Sequence, residues 1–512
     1  MARHKMGKVF LVGAGPGDPG LITVKGRECI SSADVVIYDF LANPVFLSYA
    51  REGAERIYVG KKGGQHTVPQ EGINALIVER AKMGRNVVRL KGGDPFIFGR
   101  GGEEAEELVQ AGVDFEVVPG VTSAIAVPAY AGIPLTHRDY TATVAFITGH
   151  EDPEKKESNI AWDKLATGAG TLVFLMGVGN LSAIAERLME YGRNPATPVA
   201  VIRRGTGPDQ ETLVGTLEDI AKLAEKSGMR PPAIIVVGEV VRLREKLAWF
   251  EKRPLFGRRI VVTRAREQAS GFMERLSQLG AECIQFPTIE VRPPESFEPM
   301  DSAIEQLSQY DWLLFTSVNG VKYFLQRLHT LGGDVRDLKG VKIGAIGPGT
   351  AGAWMEMGIR PDLVPEEYRA EAIVEGLGGI GIKGKKILIP RAVKAREILP
   401  LELRKMGAEV EVVPAYQTVR PDDDVEFVKG MLDRKEVHMV TFTSSSTVTN
   451  FVEMFGSWKE TLREKMASVA SACIGPITAK TAEGYGFSVD LMPSEYTIDA
   501  LTEEIVAFFS KT

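Results

Sequence analysis

Residues 8–20 read K-V-F-L-V-G-A-G-P-G-D-P-G. The apolar run Val9–Val12 predicts a buried strand, and the glycine- and proline-rich segment after it predicts a strand-to-helix turn. The last six residues fit the G-x-G-x-x-G template of a dinucleotide-binding loop. Asp39 follows about 20 residues later, where that template expects a ribose-binding acid. One hypothesis is therefore an NAD-dependent enzyme.

The two prolines of this loop argue against a dinucleotide. A phosphate-binding loop works by directing backbone N–H groups at the pyrophosphate. Pro16 and Pro19 lack that group, so the loop is poor in donors and forms a rigid turn. Such a turn suits an uncharged or cationic ligand. A turn that binds no ligand is the remaining alternative.

The composition indicates a packed globular protein. The 512 residues are 44% hydrophobic and 25% charged, with a net charge of −6; this balance favours neither a nucleic-acid nor an anionic-membrane partner. Cys29, Cys283 and Cys473 lie far apart, in no metal-ligand spacing, which suits a reducing cytoplasm. The apolar run near the start is too short for a signal peptide, and no run is long enough for a membrane span.

Short apolar runs alternate with helical patterns such as Gly102–Ala111, which predicts an α/β fold with buried, largely parallel sheets. The strands predicted in the first half are Val9–Val12, Val35–Tyr38, Val87–Leu90, Val144–Thr148, Leu172–Met176, Val199–Ile202 and Ile234–Val237. Three further strand ends carry glycine: R-L-K-G-G-D-P (89–95), P-G-V-T-S-A (119–124) and L-M-G (175–177). Because ligands bind outside the carboxyl ends of such strands, we expect these segments and the opening loop to form one pocket.

A charged stretch with Pro254 and Gly257 places a domain boundary near residue 252. The second half contains a repeat: Arg264-Ala265 recurs as Arg391-Ala392, 127 residues later (391 − 264), and Phe315-Thr316-Ser317 recurs as Phe442-Thr443-Ser444 at the same spacing. Ile346-Gly347-Pro348 recurs as Ile474-Gly475-Pro476, 128 residues later (474 − 346). Two copies predict a two-lobed α/β module, and a cleft between lobes is a common ligand site.

The motifs of residues 8–240 closely resemble the tetrapyrrole methylase family, in particular uroporphyrinogen-III C-methyltransferases. The motifs are V-G-A-G-P-G-D-P-G, R-L-K-G-G-D-P-F-I-F-G-R-G-G-E-E, V-P-G-V-T-S-A, G-I-P-L-T-H-R and F-L-M-G-V. The resemblance implies a two-lobed fold and S-adenosylmethionine as methyl donor, with S-adenosylhomocysteine as product. This donor carries a sulfonium cation and no phosphate, which agrees with the donor-poor loop. The cofactor residues implied are Pro16, Gly92, Gly93, Asp94, Ile97, Thr122, Ser123, Met176 and Gly205.

The resemblance also implies an acid/base pair, Asp39 and Lys61. Methylation of a pyrrole carbon leaves a cationic ring that must lose a proton, which a carboxylate can accept. A helix cap for Asp39 and a solvated surface charge for Lys61 remain alternatives. The methyl acceptor carries eight carboxylates, so its site needs cations. The candidates are Arg89, Lys91, Arg100, His137, Arg138, Arg203 and Arg204.

Residues 257–512 resemble uroporphyrinogen-III synthases, through F-T-S, I-G-P-G-T-A, P-A-Y-Q-T and I-G-P-I-T-A-K-T-A. The resemblance implies a bilobed, cofactor-free enzyme in which Tyr416 is the candidate proton donor; plain packing of this tyrosine is the alternative. Hydroxyls of repeat-related turns suit carboxylate binding, although helix caps would use the same residues. The substrate-binding candidates are Arg264, Ser317, Thr350, Arg391, Lys394, Ser444 and Thr478.

The resemblance therefore implies a bifunctional enzyme of sirohaem or cobalamin synthesis. Residues 253–512 would cyclise hydroxymethylbilane to uroporphyrinogen III, with one lobe of 257–287 plus 417–512 and the other of 288–416. Residues 1–252 would methylate that product twice to precorrin-2, as a homodimer formed through this half. The alternative is a corrin-intermediate methyltransferase fused to a non-catalytic, tetrapyrrole-binding module.

Overall fold

The computed structural model describes residues 6–60, 68–150, 159–264, 266–365, 370–395, 397–419, 421 and 425–511. Contacts divide the chain into two compact units. The first comprises the described residues up to Arg258 together with Leu276–Glu282, and the second comprises those of Arg259–Arg275 and Cys283–Thr512. No helix in the described part of the chain has the length and apolarity that a membrane crossing requires.

The first unit begins with a fully parallel sheet of five strands in the order β3-β2-β4-β1-β5. Its strands are β1 Val9–Gly13, β2 Val35–Tyr38, β3 Glu55–Tyr58, β4 Val87–Lys91 and β5 Phe115–Val118. Its helices are α1 Val24–Ser32, α2 Gln70–Lys82, α3 Gly101–Gln110 and α4 Ser123–Tyr130. Alternate residues enter different apolar cores: Val35 and Ile37 pack in one, and Val36 packs in the other. The sheet is thus buried on both faces, as its continuous apolar strands predict.

The second sheet of this unit has the order β6-β7-β10-β8-β9 and is mixed rather than parallel. Its strands are β6 Val144–Thr148, β7 Thr171–Leu175, β8 Pro198–Arg203, β9 Glu211–Thr216 and β10 Ala233–Val237, with helices α5 Trp162–Gly168, α6 Leu181–Glu190, α7 Ile220–Lys226 and α8 Arg244–Leu247. Only the pair β6–β7 is parallel; β10 pairs antiparallel with β7 and β8, and β8 with β9. The expectation of largely parallel sheets is therefore wrong here, because fully buried strands of either orientation have the same apolar pattern.

The second unit contains two further sheets, with the orders β12-β11-β18-β19 and β13-β17-β16-β14-β15. The strands are β11 Arg259–Val262, β12 Glu282–Gln285, β13 Glu290–Arg292, β14 Trp312–Phe315, β15 Lys342–Ala345, β16 Lys386–Ala392, β17 Glu409–Val419, β18 Met439–Phe442 and β19 Ala470–Cys473. The helices are α9 Arg266–Gln278, α10 Glu298–Glu305, α11 Val318–Thr330, α12 Pro348–Glu356, α13 Ala370–Gly378, α14 Ile398–Lys405, α15 Val425–Asp433, α16 Ser445–Met454, α17 Lys459–Met466, α18 Pro476–Gly484 and α19 Ile498–Ser510.

The sequence repeat is also present in the backbone of the second unit. Ser317 and Ser444 are the N-caps of α11 and α16, with φ of −161° and −164°. In each copy an aspartate carboxylate accepts a backbone N–H at 2.8 Å, Asp362 from Ile343 and Asp490 from Ser471. Equivalent residues of the two sheets therefore share local structure as well as sequence.

Candidate active site

The loop after β1 is held by hydrogen bonds to its own chain. The Asp18 N–H donates to Thr206 Oγ1 at 3.1 Å, and Asp18 Oδ2 accepts a hydrogen bond from Tyr130 Oη at 2.7 Å. A carboxylate inside the loop would repel a pyrophosphate, and Pro16 and Pro19 offer it no N–H. The geometry therefore does not support the NAD hypothesis.

This loop forms part of the wall of a cavity of about 710 Å³ in the first unit, a volume typical of small-ligand sites. The cavity lies at the carboxyl ends of β1, β2, β4 and β7, as expected for an α/β sheet. It is lined by every residue that the resemblance implies for the cofactor: Pro16, Gly92, Gly93, Asp94, Ile97, Thr122, Ser123, Met176 and Gly205. Their contacts with a bound cofactor remain a prediction.

Two of the lining glycines stand where a side chain would not fit. A Cβ on Gly92 would lie 2.5 Å from Leu41 Cβ, and a Cβ on Gly205 would lie 2.3 Å from Val127 Cγ1. Carbon atoms in contact normally lie about 3.5–4.0 Å apart. The wall at these positions is therefore backbone, closely packed against neighbouring side chains.

Other lining residues fix the wall itself. Asp94 accepts backbone hydrogen bonds from Phe96 at 2.8 Å and Gly120 at 3.0 Å, which ties the segment after β4 to the segment after β5. Thr122 is the N-cap of α4 and accepts from the Ala124 N–H at 3.3 Å. These side chains thus hold the cavity in shape, whatever they also contribute to a ligand.

Asp39 lies just beyond β2 and lines the same cavity. Its side chain is 26% exposed, and Oδ2 accepts a charge-assisted hydrogen bond from Arg89 Nη2 at 2.8 Å. The other oxygen, Oδ1, accepts from the Leu41 N–H at 3.1 Å, as in an Asx turn. Asp39 therefore stabilises the local turn, as the helix-cap alternative expects of it. It also reaches the cavity, as a catalytic residue must.

Arg89 and Lys91, both on β4, share a buried carboxylate partner. Arg89 Nε donates to Glu104 Oε1 at 3.2 Å, and Lys91 Nζ donates to the same oxygen at 2.7 Å. The side chains of Arg89, Lys91 and Glu104 are 4%, 6% and 0% exposed. Burial and the charge of Arg89 lower the pKa of Lys91, whereas Glu104 and Asp39 oppose that shift. We call Asp39, Arg89, Lys91 and Glu104 the buried charge network; its two cations and two carboxylates balance.

The network bears on the expectation that Arg89 and Lys91 bind substrate carboxylates. Both line the cavity, but all three nitrogens of the Arg89 guanidinium already donate within the protein, the third to the Leu90 carbonyl at 2.9 Å. Three of its five N–H groups are engaged in this way, and its side chain is only 4% exposed, which leaves little access for a substrate carboxylate. The role of Arg89 as a substrate ligand stays a prediction that the observed pairing does not favour.

The remaining cationic candidates of this unit divide by position. Arg100 and Arg204 line the cavity, Arg100 paired with Glu103 and Arg204 with Asp209. The other three do not line it. Arg203 pairs with Glu211 at 3.2 Å, His137 lies in a turn where its Nδ1 accepts from the Asp139 N–H at 3.2 Å, and Arg138 is exposed. Lys61 lies outside the described residues.

Several residues that line or support the cavity are not among the predicted site residues. Glu104 belongs to the G-G-E-E motif, beside the exposed Glu103. Its place on the apolar face of α3, with Ala105 and Leu108, is the sequence signal that indicates its burial. Gln70, which donates to Glu104 Oε1 at 3.2 Å, and His150, which lines the cavity, carried no sequence signal.

In the second unit, Tyr416 follows an irregularity in the pairing of β16 with β17. Arg391 is opposite Pro414, whereas Ala392 is opposite Tyr416, so β17 carries one extra residue. Such bulges redirect side chains and often lie beside active sites. The Tyr416 hydroxyl lies 3.0 Å from Ser317 Oγ. The tyrosine is buried, and both packing and proton donation remain open for it.

The other candidates of this unit lie at helix starts or on strands. Ser317 and Ser444 cap α11 and α16, accepting N–H groups of Gly320 and Thr447. Thr350 and Thr478 are buried in the first turns of α12 and α18. The helix-cap alternative thus describes the two serines, whether or not they also bind substrate. Arg264 is partly buried, Arg391 is buried beside Glu397, and Lys394 is exposed.

Comparison with known proteins finds a matching protein family for each half of the chain. A model of the tetrapyrrole (corrin/porphyrin) methylases matches residues 8–221, and a model of uroporphyrinogen-III synthase HemD matches residues 270–503. A porphyrin biosynthesis protein HemD from Ruminiclostridium josui is 40% identical over 500 residues, which cover 98% of each chain.

Two shorter relatives match just under half of the chain. An S-adenosyl-L-methionine-dependent uroporphyrinogen III methyltransferase from Methanosarcina barkeri is 58% identical over 47% of this chain and 94% of its own. A uroporphyrinogen-III C-methyltransferase from Priestia megaterium is 55% identical over 46% of this chain and 99% of its own.

Two tetrapyrrole-enzyme domains in tandem define the class of this protein. The chain belongs to the family of fused tetrapyrrole methylases and uroporphyrinogen-III synthases. Both resemblances identified from the sequence motifs, and the α/β fold class, are thereby confirmed. The alternative of a corrin-intermediate methyltransferase with a non-catalytic module is not favoured, because these relatives carry uroporphyrinogen-III names.

Proposed function

We propose that the chain catalyses two consecutive steps of tetrapyrrole synthesis. The second unit cyclises hydroxymethylbilane to uroporphyrinogen III, and the first transfers two methyl groups from S-adenosylmethionine to that product, giving precorrin-2. The observation that carries the first activity is the single cavity in which all nine expected cofactor residues meet Asp39. The second activity rests on family membership and on Tyr416 beside Ser317.

The cavity suits a sulfonium donor. Its wall at Gly92 and Gly205 is backbone packed against Leu41 and Val127, with no room for a side chain, and the proline-containing loop presents few N–H groups to anions. When bound, S-adenosylmethionine supplies an electrophilic methyl group. The protein has to place that methyl against one pyrrole carbon and keep the reacting atoms aligned, which is a positioning task.

Asp39 is the group placed to manage the proton. Attack of the pyrrole carbon on the methyl group would form the new carbon–carbon bond and break the methyl–sulfur bond, releasing S-adenosylhomocysteine and leaving a cationic ring that must lose a proton. Asp39 is partly exposed to the cavity and held by Arg89 and the Leu41 N–H, so its carboxylate can accept that proton in a fixed orientation. Arg100 and Arg204, at the cavity wall, are the cations best placed to hold substrate carboxylates.

In the second unit, ring closure needs loss of water from the terminal hydroxymethyl group and inversion of ring D. Tyr416 would donate a proton to the departing hydroxyl, and the Ser317 hydroxyl at 3.0 Å fixes the direction of the phenol. Because hydroxymethylbilane also closes spontaneously to the type I isomer, the enzyme contributes mainly by folding its substrate. Hydroxyls and N–H groups at the starts of α11, α12, α16 and α18 offer sites for the substrate's carboxylates.

The decisive experiment gives the whole protein hydroxymethylbilane with and without S-adenosylmethionine. Without the methyl donor, uroporphyrinogen III is expected, identified by isomer separation after oxidation; only type I would disprove the synthase activity. With the donor, a product heavier by two methyl groups is expected. Absence of a dimethylated product from uroporphyrinogen III would disprove the methyltransferase, and titration with NAD(H) against S-adenosylhomocysteine checks the dinucleotide hypothesis.

Two finer features belong to the same proposal. Family resemblance supports a homodimer formed through the first unit, which light scattering coupled to size-exclusion chromatography would measure. A cytoplasmic location is supported by three cysteines that are all free thiols, Cys29 and Cys473 buried and Cys283 partly so. Fractionation of the source cells tests this.

A further inference from the structure

Glu104 is the one carboxylate of the buried charge network that does not line the cavity. It lies in the first turn of α3, and its side chain is fully buried. Its Oε1 accepts from three donors: Arg89 Nε at 3.2 Å, Lys91 Nζ at 2.7 Å and Gln70 Nε2 at 3.2 Å. Its Oε2 is also buried and has no hydrogen-bond partner among the described residues.

Glu104 is thus a buried carboxylate whose charge is compensated by two cations. A buried ionised group loses its hydration and persists where opposite charges compensate it. Glu104 meets both cations of β4 through one oxygen, and those cations are the ones that face Asp39. Arg89 therefore has a carboxylate on each side, Glu104 at Nε and Asp39 at Nη2.

We infer that Glu104 is a positioning residue for methyl transfer: through Arg89 and Lys91 it orients Asp39 and sets the charge that Asp39 experiences. Glu104 holds the guanidinium in place from behind, so that Nη2 points at Asp39 Oδ2. It also cancels one of the two buried positive charges, so that Asp39 faces a balanced site rather than two uncompensated cations. The inference rests on the proposed methyltransferase function.

Glu104→Gln tests this role because the amide keeps the shape and removes the charge. Two cations would then face Asp39 alone, which stabilises its anion and weakens it as a base. We expect kcat for methyl transfer to fall about 10- to 100-fold, with S-adenosylhomocysteine affinity unchanged within about twofold. The acidic limb of the kcat–pH profile should move to lower pH, and Glu104→Asp, which keeps the charge, should recover much of the rate.

The charged groups around Asp39 influence the dependence of kcat on pH. Among the described residues they are Arg89 and Lys91 from β4 and Glu104 from α3. At the periphery, Glu103 interacts with Lys91, and Arg100 interacts with Glu104. Glu106→Gln is the matched control, because Glu106 lies on the same helix, exposed and outside the cavity. It loses the same charge without touching the network, so rate and profile should match the wild type.

The outcomes separate the inference from the proposed function. If wild-type protein does not methylate uroporphyrinogen III, the function itself is wrong. If wild type is active and Glu104→Gln matches Glu106→Gln in kcat and pH profile, Glu104 has no positioning role. A fallen kcat with an unmoved acidic limb and no recovery in Glu104→Asp would indicate packing alone. Loss of S-adenosylhomocysteine binding in Glu104→Gln would likewise overturn the inference, since it predicts an intact cofactor site.

Discussion

Replacing Asp39 by asparagine should abolish most methyl transfer while leaving cofactor binding intact. Asparagine has the size of aspartate, and its amide oxygen can still accept one of the two observed hydrogen bonds, from Arg89 or from the Leu41 N–H. The substitution therefore removes the negative charge and the proton acceptor with little change of shape. Asp39→Ala, which removes both hydrogen bonds as well, should lose at least as much activity.

The size of the effect follows from the contacts. Loss of a general base lowers kcat by about 10²–10⁴-fold, or about 2.7–5.5 kcal/mol of activation free energy. Breaking a buried ion pair costs about 3–5 kcal/mol of unfolding free energy. Arg89 keeps Glu104 at 3.2 Å, and the Asp39 side chain is 26% exposed. We therefore expect Asp39→Asn to lose only about 1–2 kcal/mol of stability.

The assay compares single-turnover methyl transfer to uroporphyrinogen III with calorimetric titration of S-adenosylhomocysteine and with thermal unfolding. Asp114→Asn is a charge-matched control, because Asp114 is exposed just before β5, at the sheet edge opposite the cavity. If Asp39→Asn keeps more than about a tenth of the wild-type rate, Asp39 is not the base. If S-adenosylhomocysteine binding disappears together with activity, Asp39 has a structural role instead.

Three further predictions concern the synthase, the cofactor wall and stability. Tyr416→Phe should slow formation of the type III isomer about 10- to 100-fold and raise the type I fraction; an unchanged isomer ratio would remove Tyr416 from the mechanism. Gly92→Ala should weaken S-adenosylhomocysteine binding at least about tenfold, because its Cβ would lie 2.5 Å from Leu41 Cβ; calorimetry measures this, and wild-type affinity would contradict it. Hydrogen bonding with Lys25 is the largest cause that lowers the pKa of Glu116 from 4.5 to about 2. Its stabilising contribution is therefore present above pH 4.5 and lost as pH falls toward 2, so denaturation should show Glu116→Gln less stable than wild type at pH 7 and the gap narrowing below pH 4.5.

Much of the fold was predictable because it depends on local patterns. The strand predicted at Val35–Tyr38 is observed with the same bounds, and the helix predicted at Gly102–Ala111 is observed at Gly101–Gln110. The strands Glu55–Tyr58 and Phe115–Val118 were missed, since both carry a glutamate and are only partly buried over most of their length. Strand orientation in the second sheet was also beyond the sequence, because burial on both faces removes the alternation that distinguishes strand types.

The sequence predicted which strand ends line the cavity, but it did not predict how the charged side chains there pair with one another. Glycine-bearing motifs after several strands indicated one composite pocket, and these segments line one cavity. Arg89 illustrates what was out of reach: its sequence position suggested a cation for substrate carboxylates, whereas in the structure it is paired with Asp39 and Glu104. Two charges pair only where the fold brings them close together, and neither the composition nor the spacing of residues along the sequence shows which charges these are.

The sequence by itself determined the two families, the tandem order of the domains and the repeat of the second half, since motifs and periodicity reflect local backbone geometry. Only the tertiary structure decided how the charges of the first unit are arranged. The strand order places β2 beside β4, with Ile37 opposite Arg89, and so brings Asp39 to a residue 50 positions away. Packing of α3 then inserts Glu104 behind both cations of β4. Because these side chains are buried where the local dielectric is low, their electrostatic contacts are strong. The contacts exist only because the connections between strands bring distant parts of the chain together.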